Sequence, residues 1–458
     1  MKMKLAEIAK AIAVKNDITK WQDVEITSVA FDSRNLAAGA LFIPLMGQSD
    51  GHRFANAAFE NGAAATLWAT DHEVTTTTDQ PVLIVDDPLQ SLQELGKYYL
   101  HKINPMVVAV TGSNGKTTTK DMIASILSTQ MNVTKTYANF NNQIGVPMTL
   151  LSMEPNTEAV VVEMGMDHFG ELDFLSRMVN PDVAVITMIG EAHIEFFGTR
   201  DKIADAKMEI THGLKEDGTL VFNGDEPLLI ERTASLAQQQ LKFGRQLEND
   251  LYATSVNAAT HEITFTVNQW PEEDFTIPMM GEYNVNNALA ALTVGQLLHV
   301  SVGNMRQALA NVELTENRAQ WVQGTAGEQI LSDVYNSNPT AAKQVLHAFA
   351  QTPTTGHRIV VLGDMLELGD ASPRLHASLA DEFDAAAISD VYLIGPQMKV
   401  LYERLIEAYG TEHLHHYDVE NKQQLMNDLE KQIQPTDVVM LKASHGIHLE
   451  TVLQNLTD

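Results

Sequence analysis

The stretch Met106-Val-Val-Ala-Val-Thr-Gly-Ser-Asn-Gly-Lys-Thr-Thr-Thr-Lys120 decides the fold. Val107 to Val110 is an apolar, β-branched run that reads as a strand buried in a parallel sheet. The chain then turns through Gly112 and Gly115 and passes into a helical pattern, Lys120-Asp-Met-Ile-Ala-Ser-Ile-Leu127. A strand, a glycine-bearing loop and a helix start make a phosphate cradle. Glycines let the backbone approach the anion, successive N–H groups point inward, and the positive end of the helix dipole favours the charge. Lys116 supplies a cation for the outer phosphates and Thr117 a hydroxyl for the accompanying metal ion. The competing reading, an ordinary strand-turn-helix with a surface lysine, is disfavoured by Lys-Thr-Thr directly after glycine. The general P-loop pattern wants glycine at position 110, where this chain has Val110, so the form is the shorter Thr-Gly-x-x-Gly-Lys-Thr-Thr.

Outward from this loop, 458 residues predict two or three domains, and 44% hydrophobic content allows sizeable cores. Lysine plus arginine number 30 against 59 acidic residues, a net charge of −29. That body repels nucleic acid and anionic membranes, so an anionic nucleotide must be drawn in by local positive features. The absence of cysteine excludes disulfides, thiolate metal sites and cysteine nucleophiles. Met1-Lys-Met-Lys4 and the following segment carry charges throughout, and no apolar run approaches membrane-spanning length. A soluble cytoplasmic protein is expected.

The first segment alternates short strands and helices. Val24–Phe31, Leu41–Leu45, Ala63–Leu67 and Val82–Val85 read as strands, and Phe54–Asn61 and Pro88–His101 as helices. Asn104-Pro105 breaks the chain before the nucleotide strand. Asp32-Ser33-Arg34 and the polar loop Gly47-Gln-Ser-Asp50-Gly51-His52-Arg-Phe54 offer an arginine and glycine N–H groups that could hold a diphosphate or a planar ring. By spacing alone, a surface turn with a solvated arginine explains them equally well.

The central segment repeats strand and helix like a doubly wound sheet, with Glu158–Glu163 and Asp182–Thr187 as buried strands. Ligands of such sheets sit beyond the carboxyl ends of the strands. Glu163 closes one strand, as a metal ligand would, and His193 follows another. A lone loop histidine is usually only solvated, and His193 gains weight from sharing that rim. Lys207, in Ala204-Asp-Ala-Lys-Met-Glu-Ile210, reads by default as a solvated helix lysine. Leu251–Met280 is less regular and partly antiparallel. A long apolar helix then opens at Gly281-Glu-Tyr-Asn284-Val-Asn-Asn287, with Asn284 and Asn287 sharing a face. Spacing favours helix capping for Asn284 over recognition of a purine edge.

From about Glu316 the order alternates again. Gln329–Ser332, Arg358–Gly363, Asp390–Gly395 and Asp437–Lys442 read as strands of Rossmann-like β-α units, without the GxGxxG fingerprint that would imply a dinucleotide.

Taken in order, Thr111-Gly-Ser-Asn-Gly-Lys-Thr-Thr118, Glu163, His193, Lys207, Asn284/Asn287, Arg318 and Asp333 resemble the Mur ligase family, whose relatives lengthen folates with glutamate. The resemblance extends over nearly the whole chain through Asp32-Ser-Arg34, Asp50-Gly-His52, Asn139-Phe-Asn-Asn142-Gln-Ile-Gly-Val-Pro147, Asp333-Val-Tyr-Asn-Ser-Asn-Pro339, Gly363-Asp-Met-Leu-Glu-Leu-Gly369 and Lys442-Ala-Ser-His-Gly446. These motifs narrow it to members that handle D-alanyl-D-alanine. It implies an α/β chain of three domains. They are a small N-terminal α/β nucleotide-sugar domain (1–102), a central P-loop-type ATPase domain with a mostly parallel sheet (103–315), and a C-terminal Rossmann-like domain (316–458) that closes over the active site.

The cofactors implied are ATP and two magnesium ions. Gly112, Ser113, Asn114, Gly115, Lys116, Thr117 and Thr118 would cradle the phosphates. Thr117 and Glu163 would hold one ion, and His193 and carbamylated Lys207, with Glu163, the second. Asn287 with Asn284 would meet adenine, Arg318 the phosphates and Asp333 the ribose. Lys116, Lys207, His193, Glu163 and Arg318 form the implied catalytic set. Ser33, Arg34, Gly47, Asp50, Gly51 and His52 would face a uridine diphosphate, and Asn139, Asn142, Tyr335, Asn336 and Asn338 would complete the substrate site.

The activity implied is ATP-dependent amide ligation through an acyl phosphate, joining D-alanyl-D-alanine to a UDP-linked muramoyl tripeptide in peptidoglycan precursor synthesis. The enzyme would be a monomer with no nucleic-acid or membrane partner. Two alternatives stand beside it: a related ligase adding a single amino acid (another Mur ligase or the folylpolyglutamate synthase type), and a nucleotide-dependent switch or binding module. The terminal motif departs from the expected Lys-Gly-Ser-Arg-Gly, since His445 puts a titrating group where a permanent charge is expected. Asp364 and His376 fit the family pattern without a physical role.

Overall fold

A computed structural model describes residues 1–76, 79–315 and 318–458. The boundary expected at 315/316 adjoins Glu316 and Asn317, which lie outside the described residues. The chain divides into two compact units, one of residues 1–111, 127–185 and 209–220, the other of 112–126, 186–208 and 221–458.

In the first unit, Ser28–Ala30, Ala40–Phe42, Ala63–Ala69 and Val82–Val85 form a four-stranded sheet, parallel throughout. The single strand expected over Val24–Phe31 is broken. Glu25–Ile26 pairs antiparallel with Met3–Lys4, and only Ser28–Ala30 joins the larger sheet. The break comes at Thr27, whose N–H donates to Gly39 O at 3.1 Å instead of continuing one ladder. Helix Pro88–Ile103 starts where Asp87 accepts from the N–H groups of Leu89 and Gln90 at 2.7 and 3.2 Å. Such a cap stabilises by about 1 kcal/mol. The helix ends on Asn104, left-handed at φ 53°, which turns the chain into Pro105 and the strand Met106–Thr111. Met106–Thr111 pairs in parallel with Ala159–Glu163, which pairs with Val133–Lys135, while Val183–Ile186 lies on the other side of Met106–Thr111. The two central strands are almost wholly buried, which explains their unbroken valine runs.

Strand Thr219–Asn223 runs from the first unit into the second, where Gln239–Gly244, Leu251–Ala258, Ile263–Val267 and Trp270–Ile277 follow in order. The last three are antiparallel neighbours, as the irregular stretch predicts. The second unit also holds helix Lys116–Leu127 as far as Ile126, beginning at the end of the glycine loop, and helix Asn284–Leu297. Its C-terminal sheet has the order Gln320–Gln323, Gln329–Asp333, Val438–Lys442, Arg358–Gly363, Asp390–Ile394, Leu414–Tyr417. Only the first pair is antiparallel. Apolar clusters cover both faces of that sheet, one around Phe349, Leu362 and Leu401, the other around Ile359, Tyr392 and Leu429. No described helix is long and apolar enough to cross a membrane.

Candidate active site

The glycine loop is shaped by close approach. Gly112 has φ +153° and Gly115 φ +79°, and added Cβ atoms would lie 1.8 Å from Thr187 Oγ1 and 2.2 Å from Asn287 Oδ1. Only glycine fits either position. Ser113 N–H donates to Met188 O at 2.9 Å and Thr187 Oγ1 to Asn114 O at 2.5 Å. Asn114 and Asn338 exchange amide hydrogen bonds of 2.6 and 3.2 Å. Lys116 Nζ folds back onto Gly112 O at 2.8 Å, which holds the ammonium over the loop. The start of the helix adds its positive dipole end there. Thr117 and Thr118, in the first turn, are buried.

Around this loop the second unit gathers most of the expected residues. Arg318 Nη2 donates to Thr117 Oγ1 at 3.2 Å, and its guanidinium lies 3.9 Å above the centre of the Tyr335 ring. The ring face attracts the cation, and Arg318 Nε is buried without a hydrogen-bond partner, so the guanidinium could still meet an anion. Asn287 accepts from Thr119 Oγ1 at 3.3 Å and donates to Asn284 Oδ1 at 2.9 Å, while Asn284 Nδ2 donates to Met280 O at 2.8 Å. Capping, favoured for Asn284 by spacing, is not what its amide does: Asn284 is the first helical residue and its side chain runs back to the preceding turn. Asp333 is paired with Lys442 at 2.5 Å, and the same ammonium donates to Asn336 O at 3.0 Å. Asn338 caps helix Pro339–Ala350, accepting from Ala341 N–H at 3.1 Å.

Lys207 is not the solvated helix lysine that local sequence suggests. It is buried, with 2% exposure, in helix Arg200–Met208. Burial first, and then the like charge of Lys116, hold its amine well below the usual lysine range. His193 is left-handed at φ 64° ahead of the short helix Ile194–Phe197. Its Nδ1 lies 2.5 Å from Glu367 Oε2, close enough for an ion contact but without hydrogen-bond alignment.

Glu163 belongs to the first unit, opposite Val110 in the parallel register. One oxygen accepts from Asn141 Nδ2 at 2.8 Å, and its backbone N–H donates to Thr136 Oγ1 at 3.0 Å. The other oxygen, Oε2, is buried without a hydrogen-bond partner. An ionised oxygen so placed is costly unless a cation meets it, so the residue fits a hard, oxygen-seeking metal ion.

Also in the first unit, Arg34 is engaged twice by Asp32, Nε to Oδ1 at 2.9 Å and Nη2 to Oδ2 at 2.8 Å. The Arg34 hydrogen bond pulls the Asp32 carboxyl down to about 2. Ser33 is buried and its carbonyl accepts from Asn61 at 2.8 Å. Gly51 is forced, since a Cβ would lie 2.5 Å from Leu45 O, whereas Gly47 faces open space. Asp50 and His52 are joined at 2.7 Å. Asn142 Oδ1 accepts from Ile144 and Gly145 N–H at 3.1 and 2.9 Å, at the start of helix Gly145–Ser152, and Asn139 O accepts from Asn141 N–H at 2.7 Å. Sequence reasoning passed over Asn141, Thr119, Thr187 and Lys442 as contacts. Asn141, Thr119 and Lys442 stood inside motifs already singled out, and Thr187 closed a strand already read as buried, but nothing local marked any of the four as a contact.

Three family profiles cover the chain: Mur ligase family, catalytic domain, over residues 25–99; Mur ligase middle domain over 110–295; and Mur ligase, glutamate ligase domain, over 317–445. The chain is 39% identical over 441 residues to the UDP-N-acetylmuramoyl-tripeptide–D-alanyl-D-alanine ligase of Bacillus subtilis (strain 168), covering 96% of this chain and 95% of the relative. It is 33% identical to the Escherichia coli (strain K12) protein of the same name, over 84% of each. Among solved structures it is similar to MurF from Acinetobacter baumannii, with a TM-score of 0.85 and 29% identity over 100% of this chain and 99% of that one. The MurF ligase of Thermotoga maritima in complex with ADP aligns with a TM-score of 0.79 and 27% identity, over 94% and 96%.

Proposed function

We propose a function that proceeds from one premise: this chain belongs to the Mur ligase family. It is an ATP-dependent, ADP-forming ligase of peptidoglycan precursor synthesis that joins D-alanyl-D-alanine to UDP-N-acetylmuramoyl tripeptide. The observation that carries an amide ligase over a nucleotide switch is Lys207, buried and depressed by burial and by Lys116. A switch that only binds or slowly hydrolyses ATP has no use for such an amine.

In this reading the Gly112–Thr118 loop takes the ATP phosphates, Asn284 and Asn287 the adenine and Asp333 the ribose. A neutral Lys207 amine adds carbon dioxide, losing one proton to become a carbamate. Magnesium fits a donor set in which Thr117, the unpartnered Glu163 oxygen, His193 and, once formed, the Lys207 carbamate would hold two ions. When bound, the metal supplies Lewis-acid neutralisation of phosphoryl charge.

The chain's own residues do the rest. Attack of the tripeptide carboxylate on the γ-phosphate brings two anions together, and Lys116 and Arg318 offset that repulsion. ADP leaves and an acyl phosphate remains. The amine of D-alanyl-D-alanine adds to its carbonyl carbon, gives up a proton, and the tetrahedral intermediate expels phosphate. Arg34, Ser33, Asp50, Gly51, His52 and Gly47 face the uridine diphosphate, and Asn139, Asn142, Tyr335, Asn336 and Asn338 the peptide side. Domains of 1–102, 103–315 and 316–458, closure of the last over the reactants to exclude water, a cytoplasmic location and a monomeric state complete the proposal.

Mass spectrometry of the products tests it. With ATP, UDP-muramoyl tripeptide carrying 18O in its terminal carboxylate, and D-alanyl-D-alanine, one 18O should appear in the released phosphate and the dipeptide in the amide product. Phosphate release with a single amino acid and none with the dipeptide assigns the chain to another ligase of the family.

A further inference from the structure

In the first unit, Asp50, His52 and His72 lie within metal-binding reach of one another, but their hydrogen bonds give the cluster a different use. His52 Nε2 accepts the N–H of Ala69 at 3.1 Å, so its ring proton is on Nδ1 and goes to Asp50 Oδ1 at 2.7 Å. Both nitrogens are spent, and His52 offers a cation nothing. His72 differs. Its Nδ1 lies 2.7 Å from Asp71 Oδ1 and its Nε2 3.3 Å from Asp50 Oδ2. A neutral imidazole has one N–H, so a carboxylate at each nitrogen calls for a proton on both. The Asp71 hydrogen bond, outweighing partial desolvation, and then the charges of Asp71 and Asp50 raise this ring above the ordinary histidine range. The ring stacks on His52 with centroids 4.1 Å apart and 17° between planes. Its backbone carbonyl accepts the indole N–H of buried Trp68 at 3.1 Å, and Trp68 stands edge-on to His52 at 4.8 Å. The end of strand Ala63–Ala69 and the Asp50-Gly51-His52 turn are thus joined through one side chain.

We propose that His72 is a positioning residue: its doubly protonated ring bridges Asp71 and Asp50 and so holds the Gly47–Phe54 loop in the shape that receives the uridine diphosphate of the sugar substrate. The proposal rests on that assignment of the loop. When the ring loses a proton, the one left stays with the nearer carboxylate, Asp71, and Asp50 Oδ2 loses its contact with His72, while Oδ1 keeps the hydrogen bonds from His52. The charged and titratable groups facing the ring are Asp71 on its own turn and Asp50 and His52 on the loop. The bridge is therefore present at low pH and lost as pH rises through the His72 value.

The test titrates the full chain with a UDP-sugar whose diphosphate is esterified at both ends, so that the ligand does not change charge over the range. The dissociation constant should rise about three- to fivefold through the transition, the worth of one partly exposed ion contact. Its midpoint should match the His72 ring titration seen by NMR, with the Trp68 indole resonance moving alongside. Asp71→Asn should shift the midpoint to lower pH, and His72→Gln should give one weak, pH-independent affinity, both with kcat unchanged at saturation. Affinity independent of pH in the unaltered protein, or the same pH profile surviving in His72→Gln, overturns the proposal. An unaltered protein that forms the amide product with the same KM from a muramoyl tripeptide lacking the UDP group overturns the loop assignment itself, and the proposal with it.

Discussion

A lysine enclosed as completely as Lys207 is tolerated chiefly as a neutral amine, and the like charge of Lys116 pushes the same way. The sign for stability follows. Its folded value lies below the unfolded one, so the unfolded chain binds a proton that the folded chain refuses, and stability falls as pH drops from the unfolded value towards the folded one. At neutral pH the side chain therefore costs stability, the mark of a group kept for chemistry. Lys207→Met should raise the melting temperature in bicarbonate-free buffer while lowering kcat by about a thousandfold, the scale of losing a group that acts in the transition state. Added bicarbonate should raise the melting temperature of the unaltered protein and leave that of Lys207→Met where it is. A variant that melts lower and keeps its rate makes Lys207 a packing residue. The glycines of the loop are fixed by contact in the same way: Thr187 and Asn287 occupy the space where their side chains would be.

At the scale of elements, the start of helix Pro339–Ala350 is tied to the glycine loop through the amides of Asn338 and Asn114. Asn338 Oδ1 caps the helix at Ala341 N–H, while its Nδ2 donates to Asn114 Oδ1. The two functions separate by chemistry. Asn338→Asp keeps the cap acceptor, favoured further by the helix dipole, but places a carboxylate where Asn114 Oδ1 needs a donor. Asn338→Ala loses both. Chemical denaturation should therefore find Asn338→Ala less stable by about 1 kcal/mol and Asn338→Asp nearly unchanged. Both should lose about tenfold in kcat/KM for ATP, the cost of one unpaired polar group beside the loop. Equal activity in Asn338→Asp and the unaltered protein sinks the link. These ties show where sequence reading reaches and where it stops. The loop was legible because valine run, glycines and Lys-Thr-Thr are contiguous, and the C-terminal strands because each is a short apolar run ending in glycine or a polar residue. The pair Asp333–Lys442 was not, although both residues stood in noticed motifs. It depends on Gln329–Asp333 lying in parallel register beside Val438–Lys442, with Asp333 opposite Lys442. Sheet order sets that neighbourhood, and no local pattern records it. Asn141 was missed by the same logic: which of three nearby asparagines reaches Glu163 depends on the turn before helix Gly145–Ser152, where Asn142 is already used by the helix start. The burial of Lys207 was invisible because its neighbours alternate small, acidic and apolar residues as a solvated helix does.

Over the whole molecule the charge of −29 opposes the approach of both ATP and a UDP-linked peptide. This enzyme cannot gain from long-range attraction, and in the proposed site the positive groups would act only once a ligand is near: Lys116 over the loop and Arg318 above the Tyr335 ring. The two fields have different reach. Repulsion from scattered surface carboxylates extends over tens of ångströms at low salt and shrinks to about 10 Å near 0.1 M. The attraction inside the loop operates at hydrogen-bond distance and is screened much less. Adding salt should therefore remove more of the barrier to encounter than of the final hold. At constant free magnesium, kcat/KM for ATP should rise about two- to tenfold as potassium chloride goes from about 10 to 100 mM, with kcat nearly constant. This is the reverse of an electrostatically steered enzyme. Stopped-flow association of a fluorescent ATP analogue should show the gain in the on-rate and little change in the off-rate. An on-rate that falls with salt would mean that the basic groups around Gly112–Thr118 project a field beyond their own cleft, and that the acidic surface is turned away from the path of approach.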